Sequence, residues 1–224
     1  MQHQLKLGYG QFAQDFFVVT LLDHMQNGFF LDVGCGTSDW PANEVPLSTM
    51  SNTYGLEKFN NWNGIGIDFD ELYCKIASKI RKNIVCADLL QENINTILEE
   101  NNTPTKMNYL SLDVDEAQRK VLDELDFNKY SFDIITYEHN YSLTVENPNS
   151  TYVGDREYSR EKFSALGYKI LFGNIGLKPG EHIEDWWVTP ELYDKWERLA
   201  HETITIPELV NVLYEDVMKQ EGTK

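Results

Sequence analysis

The chain has 224 residues, of which 42% are hydrophobic and 25% are charged, which is the size and composition of an ordinary globular domain. Its 36 acidic and 19 basic residues give a net charge of −17. Such a balance argues against a protein that grips nucleic acid, because phosphate binding requires clustered Lys and Arg. We therefore expect one domain over residues 1–224 and no nucleic-acid partner.

The sequence shows neither a basic, apolar leader nor an apolar stretch near the ~20 residues that span a bilayer. The three cysteines, Cys35, Cys74 and Cys86, have no paired spacing that is typical of a disulfide framework or a zinc site. These patterns favour a cytoplasmic protein without membrane insertion.

Short apolar runs alternate with amphipathic segments through the first 140 residues. Each run lacks the inside–outside alternation of a half-exposed strand, so each indicates a strand buried on both faces. The predicted strands are residues 28–33, 64–69, 83–90, 107–114 and 132–139. They predict an α/β protein with a Rossmann-like, mostly parallel, doubly wound sheet and helices on both faces.

The flanking segments extend this pattern at both ends. Phe16, Val19, Leu22 and Met25 have helical spacing and predict an opening helix. After residue 138 the sequence predicts a polar loop over 141–156. The remaining predictions are a helix near 160–166, strands at "GYKILF" and "EDWWV", and a helical extension over 190–220.

A glycine-rich turn, Asp32-Val33-Gly34-Cys35-Gly36, follows the first predicted strand. Glycines at such a turn let the backbone pass close beneath a ligand at the carboxyl edge of the sheet. A nicotinamide-dependent oxidoreductase presents a similar turn. The third glycine of its G-x-G-x-x-G pattern is absent, since position 39 is Asp.

Acidic residues follow the first three predicted strands. Asp68 is placed to accept the hydroxyls of a ribose, Asp88 to accept from an adenine amino group, and Asp32 to meet an ammonium. An extra carboxylate would repel a pyrophosphate. The set therefore favours an adenosine with a zwitterionic tail over a dinucleotide.

Two long stretches, "SNTYGLEKFNNWNGIGIDFDELY" and "NYLSLDVDEAQRKVLDELDFNKYSFDIITYEHN", resemble the FkbM-type methyltransferases. That family shows stretches like "SNTYxLE", "GWxGxxIEPxPE" and "DFxxYxFxxIxxEHN". The segments "GQFAQDFFVVTLL" and "EDWWV" also resemble the family's ends, so the similarity covers about residues 9–188.

The resemblance implies a class I methyltransferase fold and methyl transfer from S-adenosylmethionine to a hydroxyl of a sugar, glycan or small natural product. The cofactor-binding residues implied for this chain are Asp32, Gly34, Gly36, Asn52, Asp68 and Phe69, to which the pattern of acids at strand ends adds Asp88. Phe69 stands where the family usually has Pro, and Asp68 where it more often has Glu. Glu116 replaces a family glycine, so the turn there is expected to differ.

Two mechanisms remain open for the proton of the acceptor hydroxyl. In one, His139 is the general base, with Asp113 beside it. In the other, Asp113, Asp115 and Glu138 hold a divalent cation such as magnesium. Against both stands a structural role, with Asp113 as a helix N-cap. A silent cofactor- or partner-binding domain is the alternative to an enzyme.

Overall fold

A computed structural model describes residues 9–36 and 51–221. The strands in this part of the chain are β1 (Phe29–Val33), β2 (Asn63–Asp68), β3 (Ile84–Cys86), β4 (Lys106–Leu112), β5 (Ser131–Glu138), β6 (Lys169–Gly176), β7 (Glu184–Val188) and β8 (Ile204–Thr205). The helices are α1 (Gln14–Leu21), α2 (Tyr54–Phe59), α3 (Glu71–Ala77), α4 (Ile94–Glu100), α5 (Gln118–Glu124), α6 (Tyr141–Glu146), α7 (Asp155–Ala165), α8 (Pro190–Trp196) and α9 (Ile206–Glu221).

The described strands form one sheet in the order β3-β2-β1-β4-β5-β7-β6-β8. The pairs from β3 to β5 are parallel, whereas β7 runs antiparallel to both β5 and β6. The order reverses direction at β1, so the carboxyl ends of β1 and β4 border the crevice where doubly wound folds bind ligands. The predicted α/β fold with a Rossmann-like, mostly parallel, doubly wound sheet is confirmed.

Each face of the sheet is covered by its own apolar core. Leu31 and Ile67 point to the face covered by α4, α5 and α7. Phe30 and Tyr109 point to the opposite face, which α1, α2, α8 and α9 cover. This two-sided burial explains the unbroken apolar runs of the central strands.

The details differ from the prediction in four places. The strand predicted over residues 83–90 is the short β3, which ends at Cys86. The opening helix is shorter than expected and buries Phe17, Val18 and Leu21, while Met25 is exposed. The predicted loop over 141–156 contains α6, and α7 begins earlier than expected. The extension over 190–220 contributes β8 as well as helices, because Ile204 pairs with Ile175 of β6.

Within the described ranges, no helix combines the length and apolar character needed to cross a membrane.

Candidate functional site

A cleft of about 650 Å³ lies at the carboxyl ends of β1 to β4. Pockets of this size hold small-molecule ligands and cofactors. Its described lining residues are Gly34, Gly36, Ile67, Asp68, Phe69, Tyr73, Ala87, Asp88, Leu89, Leu90, Asp113, Val114, Asp115, Glu116, Ala117, Thr151 and Tyr152. The structure therefore brings together Gly34, Gly36, Asp68, Phe69 and Asp88 of the predicted cofactor set.

Gly34 is a glycine for two reasons. Its φ of +88° lies in the left-handed region, and a Cβ there would lie 1.5 Å from the carbonyl oxygen of Asp113. The turn can thus pass directly against the end of β4 only without a side chain. This contact sets the floor of the cleft between β1 and β4.

Gly36 makes room for a carboxylate. Its backbone N–H donates to Asp68 Oδ2 at 2.7 Å, and a Cβ there would lie 2.3 Å from the same oxygen. Asp68 Oδ1 accepts from the N–H of Asp70 at 2.9 Å. Two backbone amides thus fix a carboxylate at the cleft wall, and each of its oxygens keeps a lone pair for a ligand hydroxyl.

The far end of the cleft is apolar with one acid. Phe69 is 73% exposed and lines this end with Leu90. Asp88 lies two residues beyond the end of β3, and its Oδ1 accepts from the N–H of Leu90 at 2.9 Å. A flat apolar group with an amino edge suits such a surface.

The charged side chains in the described lining of the cleft are all acidic. Five acids line it, namely Asp68, Asp88, Asp113, Asp115 and Glu116, and among the lining residues that the structure describes there is no Lys or Arg. A ligand with positive charge is favoured there, and a pyrophosphate is disfavoured.

Asp32 and Asn52 lie behind the cleft and are not among its described lining residues. Asp32 is buried, accepts from Thr53 Oγ1 and lies 3.9 Å from the Arg81 guanidinium. Burial raises the pKa of Asp32 above its usual range. Asp32 thus forms a structural link beneath the turn, and its contact with a ligand ammonium, directly or through a water, stays a prediction.

Arg81 organises that link and was missed from the sequence. Its side chain is buried and donates to Glu57 Oε2 at 2.8 Å, Ser51 Oγ at 3.0 Å and Thr53 Oγ1 at 2.6 Å. The guanidinium thereby ties the start of α2 to the end of α3. Arg81 comes four residues after the end of α3, outside the apolar positions of that helix. Nothing in the sequence therefore distinguishes it from a basic residue exposed to solvent.

Asp113 and Glu138 form a carboxyl pair at the adjoining ends of β4 and β5. Leu112 pairs with Tyr137 in the register of β4 with β5, so Asp113 and Glu138 follow side by side at these strand ends. Burial, together with the neighbouring Glu138 carboxylate, raises the pKa of Asp113 well above its usual range. Asp113 does not cap a helix, because the 3₁₀ turn after β4 begins at Asp115.

The turn after β4 does not place Glu116 in a left-handed conformation. The positive φ falls on Asp115, at +47°, and Glu116 has no such strain. Asp115 Oδ1 accepts from the Tyr152 hydroxyl at 2.6 Å. Across residues 9–36 and 51–221, no group of three His, Cys, Asp or Glu side chains is arranged to hold a metal ion. The described side chains therefore give no support to the metal set predicted from Asp113, Asp115 and Glu138.

His139 is placed away from the cleft. Its side chain is 0% exposed, its Nδ1 accepts from the N–H of Tyr141 at 3.2 Å, and its Nε2 lies 3.5 Å from Asp185 Oδ1. It is not among the described lining residues. Glu138 and His139 are adjacent on an extended segment, so their side chains point to opposite faces of the sheet. Only the side chain of Glu138 is therefore directed toward Asp113. The role of His139 as general base is not compatible with this position.

Asp185 and Glu184, which the sequence did not single out, begin β7. Asp185 accepts from Arg160 Nε at 2.7 Å and Nη2 at 2.8 Å, and Arg160 holds the pKa of Asp185 well below its usual range. Glu184 accepts from Gln14 Nε2 at 2.9 Å and from the Trp186 indole. Burial and the nearby Glu138 raise the pKa of Glu184 to about 8.

No protein-family model and no curated protein matches this chain. Solved structures that resemble it include Aeropyrum pernix fibrillarin with bound S-adenosyl-L-methionine, with a TM-score of 0.49 and 13% identity over 82% of this chain and 76% of that chain. A TehB-like SAM-dependent methyltransferase from Corynebacterium glutamicum gives a TM-score of 0.45 and 14% identity over 77% and 86%. A SAM-dependent methyltransferase from Archaeoglobus fulgidus gives 0.43 and 16% over 85% and 89%. These similarities are too distant to carry a conclusion about the reaction.

Proposed function

We propose that this protein is an S-adenosylmethionine-dependent methyltransferase whose cofactor binds in the cleft above Gly34 and Gly36. The observation that carries the proposal is the cleft itself. It joins a glycine turn, a carboxylate fixed at the end of β2 and an apolar end with Asp88, and its described lining has acids without a basic side chain. A nucleoside with a cationic tail matches that lining, and a dinucleotide does not.

The residues of the cleft have distinct tasks in this proposal. Asp68 accepts the ribose hydroxyls, since its oxygens are already aimed by the N–H groups of Gly36 and Asp70. Asp88 accepts from the adenine amino group, and Phe69 covers the base. When bound, S-adenosylmethionine supplies a methyl group activated by a sulfonium.

The proton of the acceptor hydroxyl goes to the carboxyl pair of Asp113 and Glu138. Burial raises the pKa of both carboxyl groups above the usual range. A carboxylate whose pKa is raised toward neutrality is a better general base than an ordinary one. The remaining task of the protein is to align the acceptor oxygen with the methyl carbon.

A hydroxyl acceptor on a sugar, glycan or small natural product is the class that we propose. Its support is the resemblance of residues 51–73 and 108–140 to the FkbM-type methyltransferases, together with the carboxyl pair. Methylation of RNA would require a basic surface to hold phosphates, and the net charge of −17 works against one.

The direct test is calorimetric titration of the protein with S-adenosylmethionine, S-adenosylhomocysteine and NAD. We expect both adenosyl compounds to bind in the micromolar range and NAD to bind weakly or not at all. Methyl transfer from labelled cofactor to a panel of saccharides, with RNA included, then identifies the acceptor. Binding of NAD in preference to the adenosyl compounds would overturn the proposal.

A further inference from the structure

Two of the three cysteines meet behind the wall of the cleft that carries Asp68 and Phe69. Cys74 lies on α3, and Cys86 is the last residue of β3. Both are free thiols. Their spacing in the sequence is not typical of a disulfide framework, so their proximity comes from the packing of α3 on the edge of the sheet.

Both thiols contact backbone carbonyl groups of one short segment. The Cys74 thiol donates to the carbonyl oxygen of Asp68 at 3.4 Å, and the Cys86 thiol donates to that of Phe69 at 3.9 Å. The same Asp68 oxygen accepts from the N–H of Ala87 at 2.8 Å. The Cys74 sulfur therefore lies beside the peptide group that follows Cys86, and the register agrees, because Asp68 pairs with Cys86 between β2 and β3.

The two thiols differ in their access to solvent. Cys86 is exposed, whereas Cys74 is only 6% exposed. Burial, together with the neighbouring Cys86 thiol, raises the pKa of Cys74 to about 12, so Cys74 stays protonated near neutral pH. An accessible cysteine beside a second one is the arrangement in which the first is oxidised and the second resolves the product.

Cys35 lies in a different place. Its side chain is 3% exposed, and burial raises the pKa of its thiol well above the usual range. A Cβ at Gly66 would lie 2.8 Å from the Cys35 sulfur, which places this thiol against the middle of β2 and not at the strand end. Cys35 is therefore a suitable control for the pair.

We propose that Cys74 and Cys86 form a peroxide-sensitive pair, whose oxidation to a disulfide weakens binding of the cofactor in the adjoining cleft. The formation of the disulfide does not depend on the proposed function. Its effect on S-adenosylmethionine rests on that function, in which Asp68 and Phe69 hold the adenosine.

The chemistry requires a peroxide and no other reactant. The Cys86 thiolate attacks one oxygen of hydrogen peroxide, the O–O bond breaks, and Cys86 becomes a sulfenic acid while the departing hydroxide takes up a proton as water. The Cys74 sulfur then attacks the Cys86 sulfur, the S–O bond breaks, and the leaving hydroxide takes the Cys74 proton as water. The two thiols thus lose two hydrogens and two electrons, and the peroxide is reduced to two waters.

The disulfide reshapes the wall of the cleft around Asp68. A disulfide holds its sulfur atoms about 2.05 Å apart, whereas each sulfur now lies on a separate carbonyl group. Drawing them together removes Cys74 from the Asp68 carbonyl and shifts α3 against β3. Tyr73, which precedes Cys74 on α3, lines the cleft, and so does Asp88, just beyond Cys86. The surfaces on either side of the adenosine are therefore displaced.

The test compares reduced protein with protein that has been treated with hydrogen peroxide and then freed of it. Mass spectrometry of the intact chain and of its peptides should show the loss of two hydrogens and a Cys74–Cys86 linkage that dithiothreitol reverses. Calorimetric titration should show an affinity for S-adenosylhomocysteine lower by about threefold or more after oxidation and restored by reduction. In Cys86→Ser, peroxide should cause neither change. Cys35→Ala is the matched control and should keep the linkage.

The inference is wrong if peroxide produces no Cys74–Cys86 linkage, or a linkage to Cys35 in its place. A Cys74–Cys86 disulfide that leaves the affinity for S-adenosylhomocysteine unchanged would overturn the effect on the cofactor, as would an equal loss of affinity in peroxide-treated Cys86→Ser. If S-adenosylhomocysteine does not bind the reduced protein, the proposed function fails, and mass spectrometry alone then decides whether the pair forms.

Discussion

Substitution of Gly34 by Ala tests the contact that shapes the floor of the cleft. The new Cβ would lie 1.5 Å from the carbonyl oxygen of Asp113, where ordinary contacts begin at 3.4 Å. The turn and the end of β4 would have to separate by nearly 2 Å, and the bond from the Asp113 N–H to Val33 O, at 2.9 Å, lies between them. Overpacking of this kind costs about 1–3 kcal/mol.

Gly34→Ala also forces an L-residue to a φ of +88°, for which the backbone strain is about 1–2 kcal/mol. Gly180→Ala isolates that strain, since Gly180 has a φ of +83° and no atom within 4 Å of the added Cβ. Urea denaturation is expected to show a loss of about 1–2 kcal/mol for Gly180→Ala and about 2–5 kcal/mol for Gly34→Ala. Only the latter should weaken binding of S-adenosylmethionine. Equal losses in both variants, with cofactor binding intact, would refute the close approach of the turn to β4.

Two further substitutions test other contacts of buried or cleft-lining carboxylates. Asp68→Asn leaves one acceptor oxygen for the two N–H groups that Asp68 now binds, so calorimetry should show affinity for S-adenosylmethionine lower by about tenfold or more, with Asp123→Asn as an exposed control. Asp185→Asn leaves the Arg160 guanidinium without its carboxylate partner. This substitution should lower the free energy of unfolding by about 3 kcal/mol in urea titrations. Because the pKa of Asp185 is lowered in the folded state, this stabilisation should be present above about pH 4 and diminish in more acidic solution. Unchanged stability of that variant at pH 7 would contradict the ion pair.

The pKa of Glu184 is about 8, against 4.5 when unperturbed. It therefore makes the free energy of unfolding depend on pH with a sign opposite to that of the Asp185 contribution. The folded protein binds more protons than the unfolded chain between these values, so stability should fall as pH rises from 4.5 to 8. Glu184→Gln should make this slope smaller in thermal melts, while Asp32 and Asp113, whose pKa values are also raised, continue to contribute to it. A slope as steep as that of the wild-type protein would assign the effect to groups other than Glu184.

The fold was predictable because the central strands are buried on both faces and are therefore continuous apolar runs. Such runs can be recognised in the sequence without knowing which strands pair with each other. The glycine turn was predictable for a related reason, since Gly34 and Gly36 follow a strand that stops abruptly. The extent of α6 and the pairing of β8 depend on contacts with distant segments, and no local pattern in the sequence encodes them.

Some residues of the candidate site could be placed from the sequence and others could not. Asp68 and Asp88 reach the cleft because the carboxyl ends of the parallel strands β2 and β3 meet at one edge of the sheet. His139 was misplaced, since adjacent residues of an extended segment leave it on opposite sides, and the sequence alone does not say which of Glu138 and His139 faces the cleft. Arg81 was missed because its partners are distant in sequence, on α2 and β1.

The sequence contains a pattern that indicates the buried carboxylates Glu184 and Asp185, although the sequence analysis did not single them out. They open the segment "EDWWV", and two acids at the start of an otherwise apolar strand must find partners once that strand is buried. The sequence could have indicated that a basic or donor group lies beside them. It could not have identified Arg160 and Gln14 as those groups.

The most direct test of the proposed function is a crystal structure of the protein with S-adenosylhomocysteine. The adenosine is expected in the cleft above Gly34 and Gly36, with ribose hydroxyls on Asp68 and the adenine amino group toward Asp88. A complex that binds in solution but places the adenosine elsewhere on the protein, with this cleft empty, would contradict it.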